Sequence, residues 1–366
     1  MTTPEITQFN EAVEAVITRM ADGRPMTFDD LREVAGLVVN AGEFVDHETR
    51  SQGVGRLVDT ILAAAPMRSA MVSAACGALV EQGAHPYIAV HAIITRLGET
   101  LGEASQFVSA CLERARADDV PEAEAIDRYG AGVARTMSVQ ANAFSAMEIF
   151  CRPAVAMISR SKRARRAAND EGRMASRLRR FPLHHDMIHW LSQLLAVLDD
   201  EELIVIHPDY RRGYRVQIEG IAGNHQLFVL LEEALIGDES AGWLDGDRPR
   251  PQTVEAARQY NQYNQATPHV FAFHYANWRA LNAEGVVEVG DNADTWLWPE
   301  GFPADIPRFD GVRVVLLGDA PYTRPFGITS IFEGLEPAVR VADKLTPEDV
   351  DGWLGRIIAT PDDPKS

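Results

Sequence analysis

The sequence predicts an N-terminal all-helical domain followed by a smaller α+β domain with a mixed or antiparallel sheet. Three observations carry this. Before about residue 198, apolar positions recur at three and four spacing (Val38, Val39, Leu57, Ile61, Leu62), the period of helices packing on helices. Beyond residue 200 the composition changes: five of the six tryptophans, six of the eight tyrosines and thirteen of the twenty prolines lie there. The short β-branched runs of that half come in clusters and do not alternate with helices, which favours α+β over a doubly wound sheet. The expected bounds are 1–198 for the helical domain, 199–358 for the α+β domain and 359–366 for a frayed tail.

Each element has a local reason. Thr3-Pro4-Glu5 starts a helix, with Thr as N-cap and Pro in the first turn, running to about Ala21 and stopping near Gly23. Thr27-Phe28-Asp29-Asp30 starts a second, its acids set against the positive helix end. Further helices are expected at about 46–64, 67–83, 86–97, 100–117 and 122–152, punctuated by Pro66, Gly83 with Pro86, Gly98 or Gly102, and Pro121. Met71 to Val80 is apolar nearly all round and so predicts a central helix.

In the second half, Leu203–Ile206 and Tyr214–Ile218 flank a Pro208-Asp209…Gly213 turn and predict a hairpin. Asn224 is expected to cap a helix through about Ile236, closed by Gly237. A helix at about 252–264 follows. Strands are expected at His269–Tyr275, Val286–Val289, Thr295–Trp298 and Val312–Leu317. Thr346-Pro347-Glu348-Asp349 signals the last helix, to about Ile358.

The bulk numbers bound the function. A chain of 366 residues suggests roughly two domains. Its net charge of −18 opposes broad binding to nucleic acid or anionic membranes. The N-terminus has neither a basic n-region nor an apolar h-region, and no apolar run approaches the roughly 20 residues that span a bilayer. Cys76, Cys111 and Cys151 are odd in number, far apart and without a CxxC spacing. They predict buried thiols in a reducing, cytoplasmic location.

Against that acidic background, Arg160 to Arg180 holds nine Lys/Arg and two acids. Read as one basic amphipathic helix over about 154–181, the segment brings Lys162, Arg166, Arg173, Arg177 and Arg180 onto one face. Ala167, Met174, Leu178 and Phe181 form the neighbouring apolar stripe. It can pair with the chain's own carboxylates, dock on an acidic partner, or bind nucleic acid or phospholipid.

Immediately after it, His185 and His189 are four apart and share a helix side, a spacing from which two imidazoles can hold a divalent transition metal. The zincin pattern needs Glu directly after the first His; Asp186 stands there, and a third ligand would have to come from His207, His225, His269 or His274. Polar capping of a helix start is the competing reading. His207 and His274 on strands read as satisfied structural residues. No GxSxG, P-loop or GxGxxG occurs, and Gly220–Asn224 reads as a turn and cap.

Two loops after strands carry exposed-type anchors: Trp296 and Trp298 in 296–303, and Tyr322 and Arg324 in 319–326. Packing of these aromatics on their own domain is the competing reading. The functional expectation is a non-catalytic interaction protein with no cofactor. It would bind another protein through the cationic segment and the aromatic loops. Alternatives are a metal-dependent hydrolase using His185 and His189, and a nucleic-acid-associated protein using the basic face.

Overall fold

The computed structural model describes residues 3–169, 173–182, 185–259, 269–271, 273–275, 277–288, 295–319, 326–328 and 332–360. The chain forms two compact units, Met1–Leu195 and Ala196–Ser366. The first is helical and the second is α+β around a mixed sheet.

The helical unit begins with α1 (Pro4–Ala21), capped by Thr3. In α2 (Phe28–Gly42), Thr27 and Asp30 form a reciprocal capping box. Asp46 caps α3 (His47–Ala63) by accepting the Thr49 N–H at 2.7 Å. Then come α4 (Pro66–Glu81), α5 (Val90–Ala117), α6 (Ala125–Ala134) and α7 (Ser138–Ser159). The nearly all-apolar α4 is central as expected: its residues from Ser69 to Val80 are buried almost throughout. It approaches α7 so closely that a Cβ at Gly77 would lie 2.7 Å from Pro153 Cβ.

Three boundaries differ from the sequence reading. Residues 90–117 form one helix, because the apolar stripe Ile93, Leu97, Leu101, Ala104, Val108 continues through Gly98 and Gly102. Gly98 is a contact point and not a stop, since a Cβ there would meet the Arg177 guanidinium and Met174 Cε. The helix expected over 122–152 is divided at 135–137, and α7 runs on through Pro153.

The basic segment is also divided. After Ser159 the chain turns and restarts as α8 (Lys162–Asn169); α9 (Arg173–Arg179) and α10 (Asp186–Leu195) follow. The expected single helix over 154–181 is therefore broken at Arg160–Ser161, and residues 170–172, between α8 and α9, lie outside the described residues.

In the second unit, β1 (Glu201–His207) and β2 (Arg212–Glu219) form the expected antiparallel hairpin. Its neighbours are β7 (Val312–Leu316), parallel to β1, and β9 (Ala338–Lys344), antiparallel to β2. Adding β4 (Arg279–Ala280), the order is β4-β7-β1-β2-β9, with β6 (Arg308–Phe309) also on β7. Two small pairs complete the unit: β3 (His269–Phe271) with β8 (Phe326–Ile328), and β5 (Val286–Glu288) with β10 (Ile358–Thr360).

Strand β1 is buried on both faces. Leu203 and Val205 face α11 (Asn224–Leu235), while Ile204 and Ile206 face the layer that holds Val350 of α13 (Pro347–Leu354). The remaining helix, α12 (Pro251–Arg258), packs on α11.

Here too some expectations are corrected. Gly223, not Asn224, is the N-cap of α11. Residues 295–298 make one bridge, Arg279 with Trp296, in place of a strand. The last helix ends at Leu354, and Ile358–Thr360 is a strand where a frayed tail was expected from 359. Among the described residues no helix is long and apolar enough to cross a membrane.

Candidate functional site

The site forms where α11 starts. Asn224 is 2 % exposed and its side chain faces a cavity of about 450 Å³ whose wall includes Trp296, Trp298, Asn282, Thr295 and Asp305. Backbone bonds around the Arg279–Trp296 bridge set the wall: Ala280 N–H donates to Thr295 O at 2.8 Å and Leu297 N–H to Trp278 O at 2.9 Å. The alternation of that segment buries Leu297 and leaves the two flanking tryptophans at the cavity, stacked with centroids 5.7 Å apart. The Arg279 guanidinium lies 5.1 Å over the Trp296 ring. Trp298 is 50 % exposed, so half of a large apolar surface faces water.

Asn224 fastens this wall to α11. Its Nδ2 donates to Trp298 O at 2.7 Å, and its backbone N–H donates to Gly301 O at 2.9 Å. The turn demands glycine at 301, where a Cβ would come within 2.9 Å of Asn224 Nδ2. The Asn224 Oδ1 is buried and has no hydrogen-bond partner. A buried acceptor left unmade costs about 1–3 kcal/mol, which a ligand N–H or O–H would recover. A cavity of this size, mostly apolar with a few fixed polar groups, has the character of a ligand pocket.

A polar cluster surrounds His207, the last residue of β1, which is 1 % exposed. Its Nδ1 accepts the Tyr210 N–H at 3.3 Å, so Nε2 carries the proton of the neutral ring. That Nε2 lies 3.9 Å from Asp319 Oδ1 and makes no hydrogen bond. Tyr210 stacks on the imidazole at 4.2 Å and Tyr275 meets its edge at 5.3 Å. Burial lowers the His207 pKa, against the opposing pull of Asp319 and Asp209.

Glu232 of α11, 2 % exposed, accepts the Tyr275 N–H at 2.8 Å. Burial pushes its carboxyl up to about 8, with the backbone N–H groups of Tyr275 and His274 pulling the other way. His207 accepts from a turn N–H and Glu232 from a loop N–H.

The other sequence-chosen residues are distributed. Lys162 and Arg166 are in α8, Arg177 is in α9, and Arg180 follows it, with Arg166, Arg177 and Arg180 exposed. Arg173 begins α9, its side chain outside the described residues, as are Tyr322 and Arg324. Part of the segment serves the fold. Arg165 is 8 % exposed and donates to Ile158 O at 3.0 Å and Ser159 O at 3.1 Å, closing the end of α7. Arg163 lies 4.1 Å over the Tyr87 ring.

His185 Nδ1 is buried without a partner, and His189 Nε2 lies 2.6 Å from the Gln193 amide nitrogen. Among the described residues, the group of three donors close enough for one metal ion is instead His47, Glu48 and His85. A larger cavity, about 590 Å³, lies beside α4 and α7, but its Arg152 is already paired with Glu148 at 3.0 Å.

Asn224 is the residue of this candidate site that sequence reasoning did not single out. Its signal was only an Asn after Gly220-Ile-Ala-Gly223, which reads as a cap, and its partner Trp298 is 74 residues away. Comparison with known protein families, curated proteins and solved structures finds no match to this chain.

Proposed function

We propose that this chain is a non-catalytic binding protein that takes a segment of a partner protein into the Trp296–Trp298 cavity. The observation that carries this reading is the unpartnered, buried Asn224 Oδ1 beside a stacked tryptophan pair of which Trp298 is half-exposed. The segment that fits presents an aliphatic or aromatic side chain to Trp298 and an N–H or O–H donor to Asn224. Trp is among the residue types that anchor interfaces, because one ring supplies much apolar contact at low entropy cost. The exposed cations of α8 and α9 offer a second contact, for an acidic stretch of the partner. A cytoplasmic setting belongs to the same reading, supported by three buried free thiols.

The test compares the immobilised full chain with Trp298→Ala and with Phe44→Ala, a control that removes another exposed ring, 71 % exposed. Proteins retained by the wild type and by Phe44→Ala should be lost at least about tenfold from Trp298→Ala, as truncating a binding hot spot predicts. Equal retention by all three would overturn the reading.

A further inference from the structure

We propose that His47, Glu48 and His85 form a binding site for one divalent transition-metal ion of the Zn²⁺ class on the helical unit. One donor atom of each residue lies within 4.8 Å of the other two. The imidazoles meet edge to face with centroids 5.8 Å apart. Ligands at about 2.0–2.1 Å around a tetrahedral ion are about 3.3–3.5 Å from one another, so closure takes a shift of about 1.5 Å at most. Side-chain rotation alone supplies that, since His47 and Glu48 are exposed and His85 is half-buried.

The backbone that presents the three donors is already fixed. Ser51 is 3 % exposed; its hydroxyl donates to His47 O at 2.7 Å and accepts the His85 N–H at 2.9 Å. One serine therefore ties the first turn of α3 to the loop between α4 and α5. Arg50 adds a second tie, its guanidinium donating to Gly42 O at 2.7 Å, Val45 O at 2.6 Å and Gln82 O. Gly83, with φ +108°, makes the reversal that returns His85 to α3. The His85 ring is further held against Tyr87, stacked at 5.6 Å.

The donor set selects the metal. Two imidazole nitrogens and one carboxylate oxygen suit Zn²⁺ and its neighbours, whereas Ca²⁺ and Mg²⁺ take all-oxygen shells. Glu48 Oε1 also accepts from Gln52 Nε2 at 3.3 Å, a contact long enough to yield to a metal bond. The positive end of α3 opposes a cation. Two carboxylates counter it, Glu48 in the first turn and Asp46 at the N-cap beside His47. Three protein ligands leave a coordination position for water or an incoming group, as in open zinc sites. This site shares no residue with the His185–His189 pair.

The experiment is a calorimetric titration of chelator-stripped full chain with ZnCl₂, with bound zinc counted by elemental analysis. One saturable equivalent is expected. His47→Gln and His85→Gln should each weaken it at least about tenfold, Glu48→Gln should weaken it without removing either imidazole, and His185→Ala should leave it unchanged. Far-UV circular dichroism of the same samples checks the helical fold. Absence of a saturable equivalent, or wild-type affinity in both imidazole variants, would overturn the site. Loss in His185→Ala but not in His47→Gln would overturn it in favour of the α10 pair.

Discussion

The two units satisfy their buried polar groups in opposite ways. In the helical unit these are mostly short hydroxyls that bond their own helix. Ser73 donates to Ser69 O at 2.8 Å and Thr100 to Arg96 O at 2.7 Å, each four residues back. In the α+β unit half of those described, Asn224, Gln226 and Glu232, stand on α11 and reach other segments. Asn224 holds Trp298; Gln226 donates to Ala257 O at 3.1 Å and accepts the Ala222 N–H at 3.0 Å; Glu232 holds Tyr275.

The lesson is that helix-on-helix packing needs little polar specification, because every backbone group inside a helix already has a partner. A unit rich in loops does not have that advantage. It uses one buried helix as a post to which the loops are tied. The loops so tied include the wall of the Trp cavity, so the proposed binding site and the fold of this unit share the same bonds.

The largest expected effect breaks that post chemically. Glu232 keeps its proton in the folded state up to about pH 8, while in the unfolded chain it titrates near its ordinary value of 4.5. Its stabilising contribution is therefore full below about pH 4.5 and lost as the pH rises through about 8. The shift corresponds to about 3–5 kcal/mol over that window. His207 acts with the opposite sign. Its lowered pKa means that stability is lost as the pH falls below its unfolded value of 6.5. Urea melts followed by tryptophan fluorescence, which reports mainly this unit, should show wild type weakening between pH 6.5 and 8. Glu232→Gln should be nearly flat there. An unchanged slope in the variant would show that the carboxyl is ionised when folded.

The matching test in the helical unit is steric. Gly→Ala inside a helix ordinarily gains up to about 1 kcal/mol. At Gly77 the new Cβ would meet Pro153 Cβ at 2.7 Å and Pro153 Cα at 2.9 Å, and the latter is backbone that cannot rotate away. Overpacking costs about 1–3 kcal/mol, so Gly77→Ala should destabilise. Hydrogen exchange should locate the lost protection in α4 and α7. A gain in stability would mean that the two helices separate freely, and that packing in this unit is looser than its interior implies.

This contrast also accounts for what could be read from the sequence. Helix starts were legible wherever a cap and an acid stood three apart, as at Thr27 with Asp30, since the interaction is local. The hairpin was legible from its turn and alternating flanks. Stops were less so. Gly98 and Gly102 resemble stops, but the apolar stripe runs through both, and Gly98 in addition lies against Met174 and Arg177, which only folding brings near. Strand β9 escaped notice because Ala338–Lys344 is a half-exposed edge strand with weak apolar alternation.

Trp296 and Trp298 could be named in advance because exposed-type aromatics beside proline stand out in a sequence. Asn224, His47 and His85 could not, since each acquires its proposed role from a partner in another segment. The metal-like spacing at His185 and His189 was visible for the reverse reason: it is sequential.

The smallest expected effect asks whether local rules act alike in both units. Each contains the same reciprocal box. In one, Thr27 and Asp30 exchange bonds, with the Thr27 N–H 2.8 Å from Asp30 Oδ2. In the other, Thr346 and Asp349 do so, with the Thr346 N–H 3.2 Å from Asp349 Oδ2. In both boxes the hydroxyl also donates to the carboxylate, at 2.7 Å, and these bonds hold each Asp below the usual carboxylate range. Thr27→Ala and Thr346→Ala should therefore each cost about 1 kcal/mol, the usual worth of an N-cap, measured by denaturant melts of the full chain. The consequences should nevertheless differ. Helix α2 has fifteen residues and buries Leu31, Val34 and Val38, so losing its cap should fray only the first turn. Helix α13 has eight and buries Val350 alone, so losing its cap should release hydrogen-exchange protection along its whole length. Equal fraying in the two helices would show that α13 is held by the sheet it covers and not by its own first turn.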